Sequence, residues 1–408
     1  MTGAEIDAEI DADVERWRAE TPGTAHVVHL NHAGASLPPS VVTETVVDHL
    51  RLEATIGAYE AAAVAAPRLE AVYGSLARLI GAADDELALV ENATRAWDMA
   101  FYAIPFRPGD TVITGIAEYA SNYLAFLHAA RTRGLEILVA PDDATGALDV
   151  EALERLVDHR TRLVAITHVP TNGGLVNPAE AVGAVTRRHG VPYLLDACQS
   201  IGQLDVDVDR IGCDFLSATG RKFLRGPRGT GFLYARRSTT AAFHPPMVDL
   251  HAAEWIADGE YRLRPDARRF ENWERNVAGV LGLGAAVDHA LEVGLPVIEA
   301  RVRALATRLR ELLADVPGVT VRDKGERPCG IVTFDVAGVP AADVVDRLRE
   351  NGVNTSVTTA TSTRLDFERR GLPDLVRASP HYVSTPGELR RLAAEVAALG
   401  TTVAQRDQ

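Results

Sequence analysis

Only two lysines occur in this chain of 408 residues, which otherwise draws its positive charge from arginine. One, Lys222, lies in the stretch SATGRKFLRGPRGTGFLY that runs from Ser217 to Tyr234. Arginine stays protonated at any accessible pH and is a poor nucleophile, whereas a lysine amine deprotonated by burial or by neighbouring cations can attack a carbonyl. Around Lys222, four glycines (Gly220, Gly226, Gly229 and Gly231) offer a closely approachable backbone. Thr219 adds a hydroxyl, and Arg221, Arg225 and Arg228 add positive charge for an anion. The same stretch also reads as a glycine-rich turn before the strand GTGFLYA. The other lysine, Lys324 in VRDKGERP, stands among turn formers and reads as a solvated surface amine.

Four further segments carry polar groups where an apolar run ends. LVENATRAW places Asn92, Ala93 and Thr94 at a strand-to-helix junction, where free N–H groups and the Thr94 hydroxyl suit a phosphate; an ordinary helix cap is the alternative. AEYASNYL brings Tyr119 behind TVITGI, as a ring for stacking or for packing. YLLDACQS ends a buried run with Asp196 and then Gln199, and a carboxylate there is costly unless it has a partner. THVPTNGGLVNP supplies His168, Thr171 and Asn172, which turn chemistry explains almost as well as a ligand does. A phosphate cradle, a stacking ring, a buried carboxylate and a singular lysine together are the parts that hold pyridoxal phosphate. The lysine forms the Schiff base, the carboxylate keeps the pyridine nitrogen protonated and the N–H groups bind the phosphate.

The elements that must position these groups follow from the hydrophobic pattern. From about Asp85, short β-branched runs (ELALV, TVIT, LEILVA, RLVAITHV, PYLLDA and CDFLSAT) alternate with helical stretches. That alternation predicts a mostly parallel sheet between helices, with its site at the carboxyl ends of the strands. VAGVLGLGAAVDHALEVG and PVIEARVRALATRLRELLADV then read as bridging helices. Beyond them VTVRD, GIVTFDV, AADVVDRLREN, VNTSV, LVRAS and PGELRRLAAEVAAL read as a smaller α/β domain. The expected division is an N-terminal arm and large cofactor-binding domain over 1–290 and a small C-terminal domain over 291–408.

Composition narrows the partners. A net charge of −14 argues against general affinity for nucleic acid or an anionic membrane surface, so the arginine clusters serve small anions. The acidic, amphipathic start MTGAEIDAEIDADVERWRAE lacks the basic and apolar regions of a secretory signal, and no apolar run approaches the ~20 residues of a membrane span. Three well-separated cysteines, Cys198, Cys213 and Cys329, read as core residues in a reducing cytoplasm.

Three weaker patterns are set aside. His26, His29 and His32 have no completing acid or cysteine, and residues three apart on a strand face opposite sides, so no metal site is expected. DVDVD continues with Arg210 and Leu216 where a calcium loop needs glycine and glutamate. GLGAAV has no strand before it and does not support dinucleotide binding.

The block YLLDACQSIGQLDVDVDRIGCDFLSATGRKFLRGPRGTGFLY resembles the aspartate-to-lysine core of class V aminotransferase-fold enzymes, the fold-type I group of cysteine desulfurases, selenocysteine lyases, isopenicillin N epimerase and related C–S lyases. The resemblance extends from HLNHAGASLPP to LVRASPHYVSTPGEL. It implies Lys222 as the Schiff-base lysine, Asp196 at the pyridine nitrogen, Gln199 near the phenolic oxygen and Tyr119 at the stacking position. It further implies Ala93, Thr94, Thr219 and Arg221 around the phosphate, and Arg377 for the substrate carboxylate, which its planar fork suits. Asn172 is one position off the family's asparagine and Thr171 is in register, so either is the expected contact.

The departures from the pattern bear on the reaction. NTSVTTATSTRLDFERRGLPDLVRAS contains no cysteine, whereas desulfurases carry a catalytic one on this loop. Tyr119 and Arg221 replace the family's usual histidines. Glu274 falls where a threonine would reach the partner chain's phosphate, an acid that needs Arg275 or another cation to offset it. Tyr59 in TIGAYEAAA is the candidate to enter the partner's site. The expectation is a cytoplasmic homodimeric lyase that eliminates the thiol from an S-substituted cysteine to give pyruvate and ammonia. The rivals are decarboxylating oxidative deamination, transamination or epimerisation in a secondary-metabolite pathway and, outside enzymes, a cofactor-binding regulatory or scaffold role.

Overall fold

The computed structural model describes residues 12–406, with side chains to residue 399; the first eleven residues of the acidic N-terminal stretch lie outside the described residues. Seven strands form the large sheet: β1 (Leu87–Val90), β2 (Thr111–Gly115), β3 (Glu136–Ala140), β4 (Thr161–Thr167), β5 (Tyr193–Asp196), β6 (Phe215–Thr219) and β7 (Gly231–Ala235). Their order is β1-β7-β6-β5-β4-β2-β3. Every pair is parallel except those of β7, which runs antiparallel to both β1 and β6. The fold is α/β with a mostly parallel mixed sheet, as the alternation predicts.

Continuous apolar runs suit strands covered on both faces. Val164, Ile166, Leu195 and Leu216 pack on one side, and Leu163, Ala165, Leu194 and Phe215 on the other, the period of two along each strand dividing them. Helix Ala93–Ala103 covers the second face with Trp97, Met99 and Phe101. Its start is set by Asn92, whose side chain accepts from Arg95 N at 2.9 Å. Helix Ala179–His189 lies over the first face and stops at Gly190, which adopts a left-handed conformation.

Helices Ser40–Ile56 and Ala58–Ile80 pack against helix Val277–Val293. The glycines of GLGAAV act here: a Cβ on Gly282 would lie 2.6 Å from Val46 Cγ2, and one on Gly284 2.7 Å from Val72 Cγ2. At Gly294 the chain bends by 81° into helix Leu295–Ala314.

The small sheet contains β8 (Val319–Val321), β9 (Val332–Val336), β10 (Ser356–Thr358) and β11 (Leu375–Ala378) in the order β8-β9-β11-β10, all antiparallel. Leu305, Leu309, Phe334, Val345 and Leu392 fill its core. VNTSV, expected as one strand, divides. Val353–Asn354 instead pairs in parallel with Val28–His29, which carries the N-terminal arm across to the small sheet and buries Val28 and Leu30 in that core. The hairpin Ala253–Ala257/Glu260–Leu263 was not anticipated; its strands are mostly exposed and lack the apolar run that marks a buried strand.

No single described helix is long and apolar enough to cross a membrane.

Candidate active site

The carboxyl ends of β2, β4, β5 and β6 lie along one edge of the sheet, and Tyr119, Thr171, Asp196 and Lys222 stand at or just beyond them. Asp196 is the last residue of β5 and is buried. Its Oδ2 accepts from Asn122 Nδ2 at 2.9 Å and its Oδ1 from the Cys198 backbone N–H at 2.8 Å, so the carboxylate has both a side-chain partner and a turn-forming contact. Burial raises its pKa, with Lys222 pulling the other way.

Lys222 lies three residues beyond β6 and is 8% exposed. Its turn is closed by Arg225 N to Lys222 O at 2.9 Å, Gly226 N to Gly220 O at 2.7 Å and Gly220 N to Thr230 O at 2.9 Å. Arg225, the only non-glycine with positive φ among the described residues (65°), holds the turn from outside. Its guanidinium donates to Thr21 Oγ1 at 2.5 Å, to Leu37 O at 3.0 Å and to the Tyr382 hydroxyl. A non-glycine residue in that conformation costs about 1–3 kcal/mol and persists where surrounding contacts over-determine it. Burial lowers the Lys222 pKa; Arg221 and Arg377 add to that, while Cys198 and Asp196 oppose it. A lysine so placed releases its proton more readily than one in water.

Cys198 was expected in the core. It is instead half-buried, with its thiol against the Lys222 amine, in the turn that follows Asp196; Cys213 and Cys329 are buried as expected. Gln199 is buried, and its Nε2 donates to Ala33 O at 3.1 Å and lies 3.5 Å from Thr171 Oγ1. Gln199 Oε1 is a buried acceptor with no partner among the described residues.

Thr171, not Asn172, joins the polar cluster. Its hydroxyl accepts from Arg377 Nη1 at 2.7 Å and its carbonyl accepts from the same nitrogen at 3.1 Å. Asn172 turns away to Thr363, whose hydroxyl meets its amide nitrogen at 2.9 Å and its oxygen at 3.1 Å. Arg377, on β11, also donates through Nε to Ser356 Oγ at 3.2 Å. It is 9% exposed, and burial, with Arg221 adding to the effect, pushes its pKa down to about 10. No described carboxylate forms an ion pair with Arg377, so a buried guanidinium faces the site without a counterion.

Tyr119 is half-buried at the start of helix Ala120–Arg133; its backbone N–H is 2.9 Å from Glu118 Oε1 and 3.3 Å from Thr167 Oγ1. Ala93 and Thr94 head helix Ala93–Ala103, with Thr94 exposed. The Thr219 hydroxyl donates to Thr230 O at 3.2 Å. Arg221 donates to Gly34 O, and its own carbonyl accepts from Ser36 N at 2.8 Å. His168 is buried with Nδ1 unpartnered, and burial pushes its pKa down to about 4.

Two parts of this site went unnoticed in the sequence. One is a buried network: Glu118 accepts from Thr114 Oγ1 at 2.9 Å, Thr167 Oγ1 at 2.5 Å and Asn122 Nδ2 at 2.8 Å, and Asn122 passes the contact on to Asp196. Burial raises the Glu118 pKa to about 7. The signal was present in AEYASN, where an acid just ahead of a helix and an amide in its first turn stand four residues apart. The other is the loop Ala33–Ser36, which reaches Gln199, Arg221 and, through Ala33 N, Ser379 Oγ at 2.9 Å.

Two expectations are corrected. Lys324 is not a solvated amine: its side chain is 10% exposed and its Nζ bonds both Asp142 and Asp366 at 2.8 Å. The turn formers around it in sequence do make a bend, held to loops of the large sheet by Lys324 N–H to Gly173 O at 2.8 Å and Gly325 N–H to Thr145 O at 2.9 Å. His29 and His32 do not face opposite sides; the strand ends at His29 and the chain turns, bringing their rings to 4.8 Å, with His381 4.9 Å from His32. Within this chain Arg275 pairs with Glu271 at 3.5 Å and donates to the Tyr73 hydroxyl at 3.0 Å, while Glu274 is exposed.

A buried lysine and carboxylate at adjacent strand ends, a helix N-terminus and an uncountered arginine, on an α/β fold of this topology, define a pyridoxal-phosphate enzyme of fold type I. The family model described as "Aminotransferase class-V" matches residues 27–392, and the chain belongs to that family. It is 31% identical to a cysteine desulfurase of Pectobacterium carotovorum, across 93% of this chain and 96% of the relative. The apo structure of a cysteine desulfurase from Thermococcus onnurineus NA1 superposes with a TM-score of 0.88 at 26% identity, covering 95% of this chain and 98% of that one. The cystine C–S lyase C-DES, solved with its reaction product cysteine persulfide, shares the fold with a TM-score of 0.83 at 24% identity, covering 92% of this chain and 99% of that one.

Pyridoxal phosphate is the cofactor of this family and fold. The unpartnered Gln199 Oε1 and the uncountered Arg377, both facing the Asp196–Lys222 edge, fit such a ligand.

Proposed function

We propose that the protein is a carbon–sulfur lyase that removes the thiol from an S-substituted cysteine, leaving pyruvate and ammonia. One observation carries this reading. The loop Thr359–Thr363, which lies beside Asn172 and the start of the Tyr119 helix, holds threonine, alanine and serine, and no cysteine stands between Asn354 and Ser379 to accept sulfur. Without a sulfur acceptor on that loop, departure of the sulfur with its substituent, as a thiolate, is the outcome this reading favours.

Asp196, Gln199, Tyr119, Thr219, Arg221 and the N–H groups of Ala93 and Thr94 would hold the cofactor, and Lys222 would anchor it covalently. When bound, pyridoxal phosphate supplies the sink that stabilises negative charge at Cα. Arg377, carried by Thr171, receives the substrate carboxylate through its planar fork. Lys222, whose proton is loosened by burial, takes the Cα proton as general base. The Cα–H and Cβ–S bonds break, the proton and thiolate leave as thiol, and water converts the released enamine into pyruvate and ammonium.

The test is mass spectrometry of the products after the holoenzyme has met a set of S-alkyl and S-aryl cysteines. Pyruvate with free thiol is the expected result. An aldehyde formed with loss of carbon dioxide and no thiol would replace the proposal with oxidative decarboxylation, and an oxo acid that keeps the sulfur would replace it with transamination.

Pairing with a second copy is part of this reading. Val41, Leu50, Ile56, Tyr59 and Val64 are exposed along helices Ser40–Ile56 and Ala58–Ile80, an apolar surface suited to burial between copies. Light scattering at the mass of two chains is the expected outcome. The three free cysteines suit a reducing cytoplasm.

A further inference from the structure

We propose that Lys324 is a positioning residue for the substrate-carboxylate site, clamping the loop Thr359–Thr363 in place before substrate arrives. The proposal rests on the reading of Arg377 given above. The Lys324 ammonium is bonded at 2.8 Å to Asp142, which follows β3 of the large sheet, and at 2.8 Å to Asp366. Asp366 belongs to helix Arg364–Arg370, which begins where the loop ends. One buried cation therefore ties a loop of the large sheet to the helix behind Thr363.

The passage for the lysine is built. Its stem runs past Gly146 (φ 87°), where an added Cβ would lie 2.8 Å from Lys324 Cδ, and past Gly173 (φ 77°), where one would lie 4.0 Å from Cγ. The Lys324 backbone N–H donates to Gly173 O at 2.8 Å. Gly173 adjoins the turn whose Thr171 carries Arg377 and whose Asn172 holds Thr363. A compact ammonium on a slender stem passes the close approach at Gly146 and presents three rotatable donors to two carboxylates, which gives the second lysine of an arginine-rich chain a role of its own.

The loop held in this way is fixed from two other directions. Ser362 O accepts from Ala120 N at 2.9 Å, joining the loop to the residue after Tyr119. Arg370 Nη1 reaches Asp366 Oδ2 at 3.3 Å and Nη2 donates to Arg322 O. Without Lys324, Asp366 keeps only Arg370, and the helix that follows Thr363 loses its tie to the large-sheet loop at Asp142, leaving the loop to its own bonds with Asn172 and Ala120.

Two variants of the holoenzyme test this, Lys324→Met and the milder Asp142→Asn, which leaves the Lys324–Asp366 pair intact. Limited trypsin digestion followed by mass spectrometry reads cleavage after Arg364, and cofactor absorbance reads the binding of S-methylcysteine. Expected are faster cleavage after Arg364 in both variants, an S-methylcysteine dissociation constant raised about tenfold in Lys324→Met and less in Asp142→Asn, and a saturated turnover rate within about threefold of the parent. Unchanged cleavage after Arg364 in both variants, or faster cleavage with unchanged binding, would overturn the clamp. A parent holoenzyme that gave no spectral response to S-methylcysteine would instead sink the substrate reading, and the cleavage pattern would still decide whether Lys324 holds the loop.

Discussion

Arg377 Nη1 donates to the Thr171 hydroxyl at 2.7 Å and to the Thr171 carbonyl at 3.1 Å, so one nitrogen of an arginine on the small sheet is carried by a turn of the large one. If Arg377 receives the substrate carboxylate as proposed, recognition depends on both sheets. Arg377→Lys keeps the charge and loses the fork, and kcat/KM is expected to fall about 10- to 100-fold, mostly through KM. Thr171→Val, which leaves Arg377 present but unsupported, should raise KM by a smaller factor in the same direction. Steady-state kinetics on an S-alkyl cysteine decides between these outcomes and a pure loss of turnover.

Lys222 is expected to be the attachment point of the cofactor. Borohydride reduction of the holoenzyme followed by peptide mass spectrometry should place the added mass on the peptide containing Lys222. Lys222→Ala should lose that adduct and about 10²–10⁴-fold in turnover, the range typical of a general base. An adduct on Lys324 would refute the assignment.

Glu118 gives a pH dependence with a definite sign. Its pKa is raised from the ordinary 4.5 to about 7 by burial. Between those values the folded protein binds more protons than the unfolded chain, so stability from this group is complete below about pH 4.5 and is lost as pH rises through about 7. Glu118→Gln removes the term, on the order of 3 kcal/mol at full extent. Urea unfolding of both proteins from pH 5 to 8 should show the variant gaining on the parent as pH rises; a constant difference would mean that Glu118 is ionised throughout.

Gly202 lies beneath the lysine turn with φ 87°, and an added Cβ would come within 2.4 Å of both Phe223 C and Leu224 N. Backbone cannot step aside as a side chain can. Gly202→Ala is expected to cost several kcal/mol, or else to displace the turn and abolish cofactor uptake. Thermal unfolding with and without pyridoxal phosphate reads both effects, and a variant matching the parent in both would contradict the close packing.

Much of the fold was legible because the strands are short, apolar and β-branched and the helices between them carry clear caps. The strand ends carrying Asp196, Lys222 and Thr171 were legible for the same reason, since a polar residue directly after a buried run is conspicuous. Glu118 and Asn122 were less conspicuous, lying inside an ordinary helix start, where a buried acid looks like a solvated one. The exposed hairpin Ala253–Ala257/Glu260–Leu263 carries no buried run to announce it.

From its sequence alone this chain could be read as an α/β protein with a singular lysine at a strand end, because periodicity and residue chemistry are local properties. Which residues face one another is not local. The opposite environments of the two lysines, the choice of Thr171 over Asn172 as the support of Arg377, and the meeting of His29 with His32 were all decided by tertiary structure. Burial and ion pairing arise between segments far apart in the chain: Lys324 became a buried cation only when Asp142 and Asp366, 182 and 42 residues away, closed around it.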